Sequence, residues 1–403
     1  MKIIVIGGGA SGMAAALTAA RKGAQVCILE KQPRVGRKLL ATGNGRCNLT
    51  NTNLSIEHYH GQDADFAKAA LTRFDTEKTL EFFNNLGLIT TCENSGRVYP
   101  LSDQAGSVLD VLRLALDEKG VEVRTECEVT AIKKEKNGFA VMLNDGMMKA
   151  DKVIVCCGGM ACGKLGGTQS GYELLKSMGH TMTKLYPVLV QVKTDTTFIR
   201  ALKGVRADAR VVVEAGGKVI AESQGEVQFT ETGVSGPAVF EVSRAISTSK
   251  QQAVIRFDLL RDLDLQQTIQ LLKKRRNLMP NQTTENFLTG ILHNRLGRTV
   301  LRYAGYGFTD YIKDLKNTDI ELIAAAIKNF ETKVSGVAGF ENAQVTAGGI
   351  STADFNPETM ESRLVKGLYA AGEVLDIDGD CGGYNLQWAW ASGITAAENA
   401  CKL

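Results

Sequence analysis

The sequence lacks several features that would place it in a specialised class of protein. Its 403 residues carry a formal net charge of only +3, which is too small to indicate a nucleic-acid partner. No apolar run approaches the roughly 20 residues that a transmembrane helix requires. The first strand is predicted to begin at Lys2, which leaves no room for a cleavable signal peptide. We therefore expect a cytoplasmic protein that binds neither a membrane nor a nucleic acid.

The cysteines and histidines also lack the spacings that are typical of disulfide-rich domains and of metal sites. The nine cysteines are an odd number without a C-x-x-C spacing, so reduced thiols are expected and not a disulfide scaffold. The four histidines have no metal-ligand spacing with nearby cysteines or aspartates, so we expect no metal site. Hydrophobic residues make up 44% and charged residues 23% of the chain, a balance typical of globular proteins. The length is sufficient for two or three domains.

The first thirty-one residues have the pattern of a dinucleotide-binding unit. An apolar strand, Lys2–Ile6, runs into the sequence GGGASG, a helix follows over Met13–Lys22, and a second apolar strand spans Gln25–Leu29. In such units the first glycine allows a tight turn, the second lets backbone amides approach a pyrophosphate, and the third lets helix and strand pack closely. The N-terminus of the helix adds unpaired N–H groups and a positive dipole end. The predicted phosphate-binding residues are Gly7, Gly9, Ala10, Ser11 and Gly12.

An acidic residue ends the second strand. Glu30 is placed to accept hydrogen bonds from both ribose hydroxyls of an adenosine. A carboxylate at this position disfavours a 2′-phosphate, so the pattern indicates FAD or NAD and not NADP.

A glycine-rich loop follows, with the sequence GRKLLATGNGRCNLTN over residues 36–51. It concentrates backbone amides, amide side chains and positive charge beside the predicted nucleotide. This chemistry suits a pyrophosphate or the edge of a flavin ring, which carries acceptors at O2 and O4 and a donor at N3.

Near the C-terminus a second glycine-rich segment lies between a predicted strand and a predicted helix. A strand over Leu368–Ala371 ends at Gly372 and Glu373, whose carboxylate could bind a sugar-alcohol hydroxyl. After two further glycines, a largely apolar helix over Gln387–Glu398 is predicted to direct its N-terminal dipole at the negative charge that builds on a reduced flavin. NAD requires no such feature, so this segment favours FAD.

The chain between these ends has a different composition. Short strand-like segments dominate from about Leu185, and charged helical segments are predicted over Leu263–Arg275, Thr284–Leu292 and Asp319–Asn329. We therefore predict an α/β fold in which a Rossmann-like FAD-binding domain is built from residues 1–186 and 346–403. An inserted β-barrel occupies residues 187–259 and 328–345, and a helical subdomain occupies residues 260–327.

Over essentially its whole length the sequence resembles a bacterial flavoprotein family, the BaiN-like or aminoacetone-oxidase-like FAD-binding proteins. The resemblance rests on GGGASG, on the loop GRKLLATGNGRCNLTN, on GRVYP and FTETGVSGP, and on the segment AAGEVLDIDGDCGGYNLQWAWASG near the C-terminus. It implies the three-part architecture described above and a bound FAD. The residues that the resemblance assigns to FAD are Ser11, Glu30, Lys31, Lys38, Thr42, Gly43, Arg46, Cys47, Asn48, Val129, Gly372, Glu373, Asn385 and Leu386.

The sequence departs from the family pattern at two places. The turn after the central strand, Gly158–Gly163, lacks the usual proline, although Gly158 stays in the predicted FAD-binding set. The FTETGVSGP segment carries Glu231 where the family usually has histidine. Cys157 and Cys162 have the spacing of flavin disulfide reductases but lie in a different part of the chain, so we expect no redox disulfide.

The resemblance implies an FAD-dependent oxidoreductase that acts on a small molecule. The favoured reaction is reduction of an activated C=C bond in a small or steroid-like substrate, by hydride from flavin N5, with NADH or NADPH as reductant. One alternative is an oxidase of a small amine such as aminoacetone, which would produce hydrogen peroxide. Another is a flavin-binding protein without catalysis. Tyr384 and Glu231 are the candidate catalytic residues, and the sequence leaves the oligomeric state open.

Overall fold

A computed structural model describes residues 1–402 of the protein. The chain forms two compact units. The first unit comprises Met1–Tyr186 together with the chain from Gln344 on, and the second comprises Pro187–Ala343.

The described residues form twenty-one strands and ten α-helices. The strands are β1 (Lys2–Ile6), β2 (Gln25–Leu29), β3 (Thr50–Asn51), β4 (Tyr59–His60), β5 (Thr90–Cys92), β6 (Arg97–Pro100), β7 (Glu122–Arg124), β8 (Val129–Glu135), β9 (Gly138–Leu143), β10 (Gly146–Ala150), β11 (Lys152–Val155), β12 (Tyr186–Val188), β13 (Val192–Thr194), β14 (Arg206–Ala215), β15 (Lys218–Phe229), β16 (Gly233–Ser235), β17 (Ala253–Asp258), β18 (Phe330–Val337), β19 (Val345–Ala347), β20 (Leu368–Ala370) and β21 (Asp378–Gly379). The α-helices are α1 (Ala10–Arg21), α2 (Lys68–Arg73), α3 (Thr76–Asn84), α4 (Ala105–Glu118), α5 (Ser170–Ser177), α6 (Pro237–Thr248), α7 (Leu265–Leu278), α8 (Asn294–Tyr303), α9 (Asn317–Lys328) and α10 (Tyr384–Ala400). Short 3₁₀ turns include Leu39–Gly45, Ile56–His58, Thr284–Asn286 and Gly372–Val374.

A five-stranded parallel sheet organises the first unit. Its strand order is β20-β11-β1-β2-β7, and its four pairings are parallel. Strand β1 lies in the middle, so Ile3, Ile4 and Val5 are fully buried, which explains why this strand is a continuous apolar run. The unit also contains an antiparallel sheet, β10-β9-β8, and two smaller ones, β3-β6-β5 and β21-β4.

A closed barrel of six strands forms the framework of the second unit. Its order is β13-β16-β15-β14-β17-β18. Side chains alternate along β14, so Ala209, Val211 and Val213 are buried while their neighbours are not, as expected for a strand with one face on a core. The predicted inserted β-barrel is thereby confirmed.

The structure corrects three interpretations of the second unit. Residues 284–292 were predicted to be one helix but form only a 3₁₀ turn over Thr284–Asn286, and the helix itself, α8, begins at Asn294. Two of the short strand-like segments that the sequence predicts after Leu185, at residues 218–222 and 226–229, are the single long strand β15. Helix α6 was missed, although Pro237 at its first turn is a typical helix start.

Candidate cofactor site

The turn between β1 and α1 requires glycine at two of its three predicted positions. Gly7 has φ +102°, and a Cβ there would lie 2.4 Å from the backbone oxygen of Cys156. A Cβ on Gly12 would lie 1.9 Å from the oxygen of Gly7. In contrast, apart from Gly9 and its two chain neighbours, no described residue has an atom within 4 Å of a Cβ placed on Gly9. The backbone is therefore approachable at Gly9, the position predicted to face a pyrophosphate.

Helix α1 begins directly beyond this opening. Its N-cap is Gly9, whose lack of a side chain leaves the first turn without a side-chain cap, and that turn contains no acidic residue. The amides of the first turn and the positive end of the helix dipole are thus available for an anionic group.

The carboxylate of Glu30 is held in place by two backbone amides. Its Oε2 accepts a hydrogen bond of 2.7 Å from the amide of Gly8, and its Oε1 accepts one of 2.7 Å from the amide of Gln32. Each carboxylate oxygen can accept more than one hydrogen bond. Glu30 therefore keeps acceptor capacity for the hydroxyls of a ribose while its orientation is fixed by the turn.

The loop after Glu30 has an irregular backbone. Gly43 and Asn44 adopt left-handed conformations with φ of 57° and 58°, and Cys47 has φ +64°. Cys47 is fully buried, and burial raises the pKa of its thiol to about 12, so the thiol stays protonated at neutral pH. Beside it, the side-chain oxygen of Asn48 is buried without a hydrogen-bond partner among the described residues.

An ion pair connects this loop to the C-terminal segment. The Nζ atom of Lys38 lies 2.7 Å from Oε2 of Glu373, and both side chains are less than one-third exposed. The Oε1 atom of Glu373 accepts a hydrogen bond of 2.7 Å from the amide of Thr346. Gly158 lies beside the same carboxylate, because Glu373 Oε2 would be 3.8 Å from a Cβ on Gly158.

The two glycine-rich ends of the chain also meet directly. A Cβ on Gly372 would lie 2.6 Å from the hydroxyl of Ser11. A Cβ on Gly383, the N-cap of α10, would lie 2.9 Å from Oδ1 of Asn48. The first turn of α10 contains no acidic residue. The fold thus brings the phosphate-binding turn, the glycine-rich loop and the flavin-side segment together.

These groups match the chemistry of FAD. One unit contains a carboxylate for the ribose, a helix N-terminus for the pyrophosphate and a second helix N-terminus for the ring. The unpaired oxygen of Asn48 is a buried acceptor that the protein itself does not satisfy, and such atoms usually have a partner in the functional state. Because Gly9 has no side chain, a phosphate can come close to the backbone there. FAD is a cofactor that these residues fit.

Some residues assigned by resemblance are engaged by other protein groups. Lys31 forms a 2.6 Å ion pair with Glu128. Arg46 pairs with Glu93 and Asp103 and stacks on Tyr99. The hydroxyl of Thr42 donates to the oxygen of Leu39. The side-chain amide of Asn385 exchanges two hydrogen bonds with the backbone of Gly379, which shapes the flavin-side segment. Val129 is buried at the start of β8, and Leu386 is half-buried in the first turn of α10.

The two candidate catalytic residues lie in different units. Tyr384 is buried, and its hydroxyl lies 3.4 Å from the backbone oxygen of Asn53. Glu231 follows β15 in the second unit; its side chain is 58% exposed and pairs with Lys203 at 2.7 Å. The hydrogen bond from Lys203 lowers the pKa of Glu231, so this carboxyl is ionised at neutral pH.

The structure also contains a cluster of His58, His60 and Asp380 that was not predicted from the sequence. Nδ1 of His58 lies 3.0 Å from one oxygen of Asp380, and Nε2 of His60 lies 2.7 Å from the other. Burial alone would raise the pKa of Asp380, but the hydrogen bonds from both imidazoles outweigh burial and lower it. His58 ends the 3₁₀ turn Ile56–His58 and His60 ends strand β4, so the H-x-H spacing was the one local signal for the pair, and its partner Asp380 lies far along the chain.

The described residues contain no helix that is both long and apolar enough to cross a membrane. The chain matches the family described as HI0933-like protein Rossmann domain over residues 1–399. It is 42% identical to a 3-dehydro-bile acid delta(4,6)-reductase of Clostridium scindens, over 100% of this chain and 99% of that protein. It is 32% identical to a ribosomal RNA dihydrouridine synthase of Escherichia coli, over 98% of this chain and 97% of that protein.

Among solved structures, the Sdh1 complex of Mycobacterium smegmatis in its apo form is similar in fold, with a TM-score of 0.50 at 15% identity. The similarity covers 99% of this chain and 68% of that chain. The family match spans nearly the entire sequence and agrees with the cofactor chemistry of the assembled site. The protein therefore belongs to the HI0933-like Rossmann-domain family and is an FAD-dependent oxidoreductase.

Proposed function

We propose that this protein reduces a C=C bond conjugated to a carbonyl group in a small, steroid-like molecule, with NADH or NADPH as the reductant. The observation that carries this proposal is the full-length 42% identity to the 3-dehydro-bile acid delta(4,6)-reductase. That relative is named for the saturation of C=C bonds in a ring system that carries a 3-oxo group.

The second relative supports the same reaction class on a different molecule. A dihydrouridine synthase saturates the C5=C6 bond of uridine, which is conjugated to the carbonyl at C4. Both relatives therefore add hydrogen across a C=C bond that a carbonyl activates. The small net charge of +3 favours a small-molecule substrate for this chain, because binding to RNA requires extensive neutralisation of phosphates.

FAD, when bound, supplies the two-electron chemistry of this reaction. The protein's own residues would bind and orient the cofactor: Glu30 would accept from the ribose, the N-terminus of α1 would hold the pyrophosphate, and Lys38 and Glu373 would bind the linking chain. The N-terminus of α10 would stabilise negative charge on the ring. The sequence contains one G-x-G-x-x-G segment, so we propose that the nicotinamide reaches the ring without a dinucleotide domain of its own.

The proposal is tested by anaerobic mixing of the purified protein with NADH or NADPH while the visible absorption of the flavin is followed. We expect rapid bleaching, then recovery of the oxidised spectrum when a 3-oxo-4,6-diene steroid is added, with a product that has gained two hydrogens by mass spectrometry. Bleaching by aminoacetone alone, with peroxide formed on readmission of air, would establish the oxidase instead. Reduction of a ribosomal RNA fragment, but not of the steroid, would assign the function of the second relative.

A further inference from the structure

The cluster of His58, Asp380 and His60 lies within the first unit and is not part of the FAD-binding set. Strand β4, which carries His60, pairs antiparallel with β21, in the register Asp378 to His60 and Gly379 to Tyr59. The amide of Asp380 donates to the backbone oxygen of His58 at 2.9 Å. The backbone therefore fixes one carboxylate between two imidazoles, and each of the three side chains remains about one-third exposed.

The two rings present different nitrogen atoms to the carboxylate. His58 uses Nδ1, the nitrogen next to its Cβ, and so turns Nε2, at the tip of the ring, away from Asp380. His60 uses Nε2 and leaves Nδ1 close to its own backbone. Neither Nε2 of His58 nor Nδ1 of His60 has a hydrogen-bond partner among residues 1–402. A carboxylate on Nδ1 with Nε2 outward is the arrangement in which histidine exchanges protons with a substrate.

The position of His58 connects it to the flavin-side segment. Its ring stacks on the ring of Tyr384 with 4.2 Å between centroids and 21° between planes. Tyr384 is the first residue of α10, directly after Gly383. The side chain of Asn385 donates to the backbone oxygen of Asp380 at 3.3 Å. The cluster is thus built into the start of α10, the segment predicted to hold the ring.

We propose that His58 is the general acid of the reduction, with Asp380 and His60 as the residues that position it. This inference rests on the proposed function. As the C=C bond of the substrate is reduced, one carbon gains a hydride from the reduced cofactor, which is thereby oxidised. The other carbon forms a C–H bond with the proton from Nε2 of the His58 imidazolium, and the N–H bond breaks to leave the neutral Nδ1–H ring beside Asp380. Water then reprotonates the imidazole, and the nicotinamide supplies the next electron pair.

The arrangement can be tested without turnover. Long-range ¹H–¹⁵N NMR spectra of ¹⁵N-histidine-labelled protein resolve the tautomers of its four histidines, assigned with His58→Gln and His60→Gln variants. We expect the neutral Nδ1–H form for His58 and the Nε2–H form for His60, and we expect Asp380→Asn to abolish this preference. An Nε2–H tautomer of His58 in the unmodified protein would overturn the proposal.

The catalytic role is tested on the second half of the reaction. The holoprotein is reduced with dithionite and mixed anaerobically with the 3-oxo-4,6-diene steroid. We expect His58→Gln to slow reoxidation by the steroid about 10²-fold or more, the usual contribution of a general acid. Reoxidation by ferricyanide, which transfers no proton to carbon, should be unchanged. Asp380→Asn, which preserves the shape of the side chain, should also slow the steroid reaction selectively.

The matched control is His293→Gln, which removes an exposed histidine from the second unit and should reoxidise at the wild-type rate. Steroid reoxidation at the wild-type rate in His58→Gln would contradict the general-acid role while leaving the proposed function intact. A wild-type protein that does not react with the steroid would instead contradict the proposed function, and the general-acid role with it.

Discussion

At the scale of single residues, Glu30 connects the glycine-rich turn to the predicted cofactor, because its carboxylate accepts hydrogen bonds from two backbone amides. Replacing Glu30 with Ala removes the acceptor for the ribose and leaves the amide of Gly8 without its partner. Hydrogen bonds to a charged group contribute about 1.5–3 kcal/mol each. We expect the dissociation constant for FAD to rise at least about tenfold, measured by fluorescence titration of the apoprotein.

The control for this change is Glu118→Ala, since Glu118 is an exposed residue that pairs with its neighbour Lys119. That variant should bind FAD like the wild type. If Glu30→Ala also kept its affinity, the adenosine would have to lie elsewhere.

The buried thiol of Cys27 predicts how stability depends on alkaline pH. Cys27 is only 2% exposed, and burial, reinforced by the nearby charge of Glu122, raises the pKa from 9.0 to about 12. Above pH 9 the unfolded chain releases this proton while the folded protein keeps it. The contribution of the protonated thiol to the free energy of unfolding is therefore fully present below the unfolded pKa. It is lost as pH rises towards the folded pKa, by up to about 1.4 kcal/mol per pH unit.

We therefore expect Cys27→Ala to reduce the alkaline loss of stability, measured as the slope of the unfolding free energy against pH between pH 9 and about 11. Cys92 is exposed, so Cys92→Ala should leave the slope unchanged. Equal slopes for the wild type and Cys27→Ala would show that Cys27 is not kept protonated by its surroundings.

At the scale of secondary-structure elements, the close contact between α1 and α10 leaves no room for a side chain at Gly393. A Cβ added to Gly393 in the middle of α10 would lie 2.4 Å from the backbone oxygen of Ser11 in α1. Since both helices begin at the predicted cofactor site, separating them would disturb both ends of that site at once.

Gly393→Ala is therefore expected to destabilise the protein by about 1–3 kcal/mol and to weaken FAD retention, even though alanine favours helix formation by up to about 1 kcal/mol. Gly106 in α4 is the matched control, because outside its own stretch of helix no described residue has an atom within 4 Å of a Cβ added there. Gly106→Ala should be neutral or stabilising in denaturant unfolding. A neutral Gly393→Ala would mean that the helices can separate without consequence.

The elements that could be predicted from the sequence are those with a strong local pattern. β1 and β2 were predicted with their observed bounds, because each is a short apolar run beside a glycine-rich turn or a polar end. α6 was missed since it lies among strand-like segments, and residues 284–292 were misassigned because an apolar periodicity of this length does not require a helix. Arg275 donates to backbone oxygens of Phe287 and Thr289, so part of the charge of α7 stabilises the following turn.

At the scale of the whole molecule, the pairs that build the candidate sites join distant parts of the chain. Lys38 and Glu373 are 335 positions apart, and His58 and Asp380 are 322 positions apart. Patterns within one sequence identify the residue types but not such partners. The glycine-rich segments could be assigned to a cofactor because each carries its own signature. A function for His58 and His60 could be inferred only once the fold had placed them beside Asp380.

Substrate choice is predicted to reside in the inserted second unit, which carries no cofactor signature of its own. The exposed pair of Glu231 and Lys203 allows a test of this division. Glu231→Gln should change turnover or the KM for the steroid while FAD content and the unfolding midpoint stay the same. Glu222→Gln, which removes the carboxylate of the exposed pair with Arg210 on the barrel, should change none of these quantities. Loss of flavin in Glu231→Gln would contradict the assignment of this segment to the substrate.

The order of strands in the parallel sheet has a consequence for synthesis on the ribosome. β20 pairs with β11, and α10 packs on α1. The sheet of β1 and β11 and the helix α1 are therefore synthesised more than 200 residues before the partners that complete their unit. The barrel is built from one continuous segment and can fold during that interval. A growing chain therefore exposes an unfinished apolar sheet edge for most of its translation, and chaperone binding is expected to concentrate on the N-terminal segment until residues 368–400 emerge.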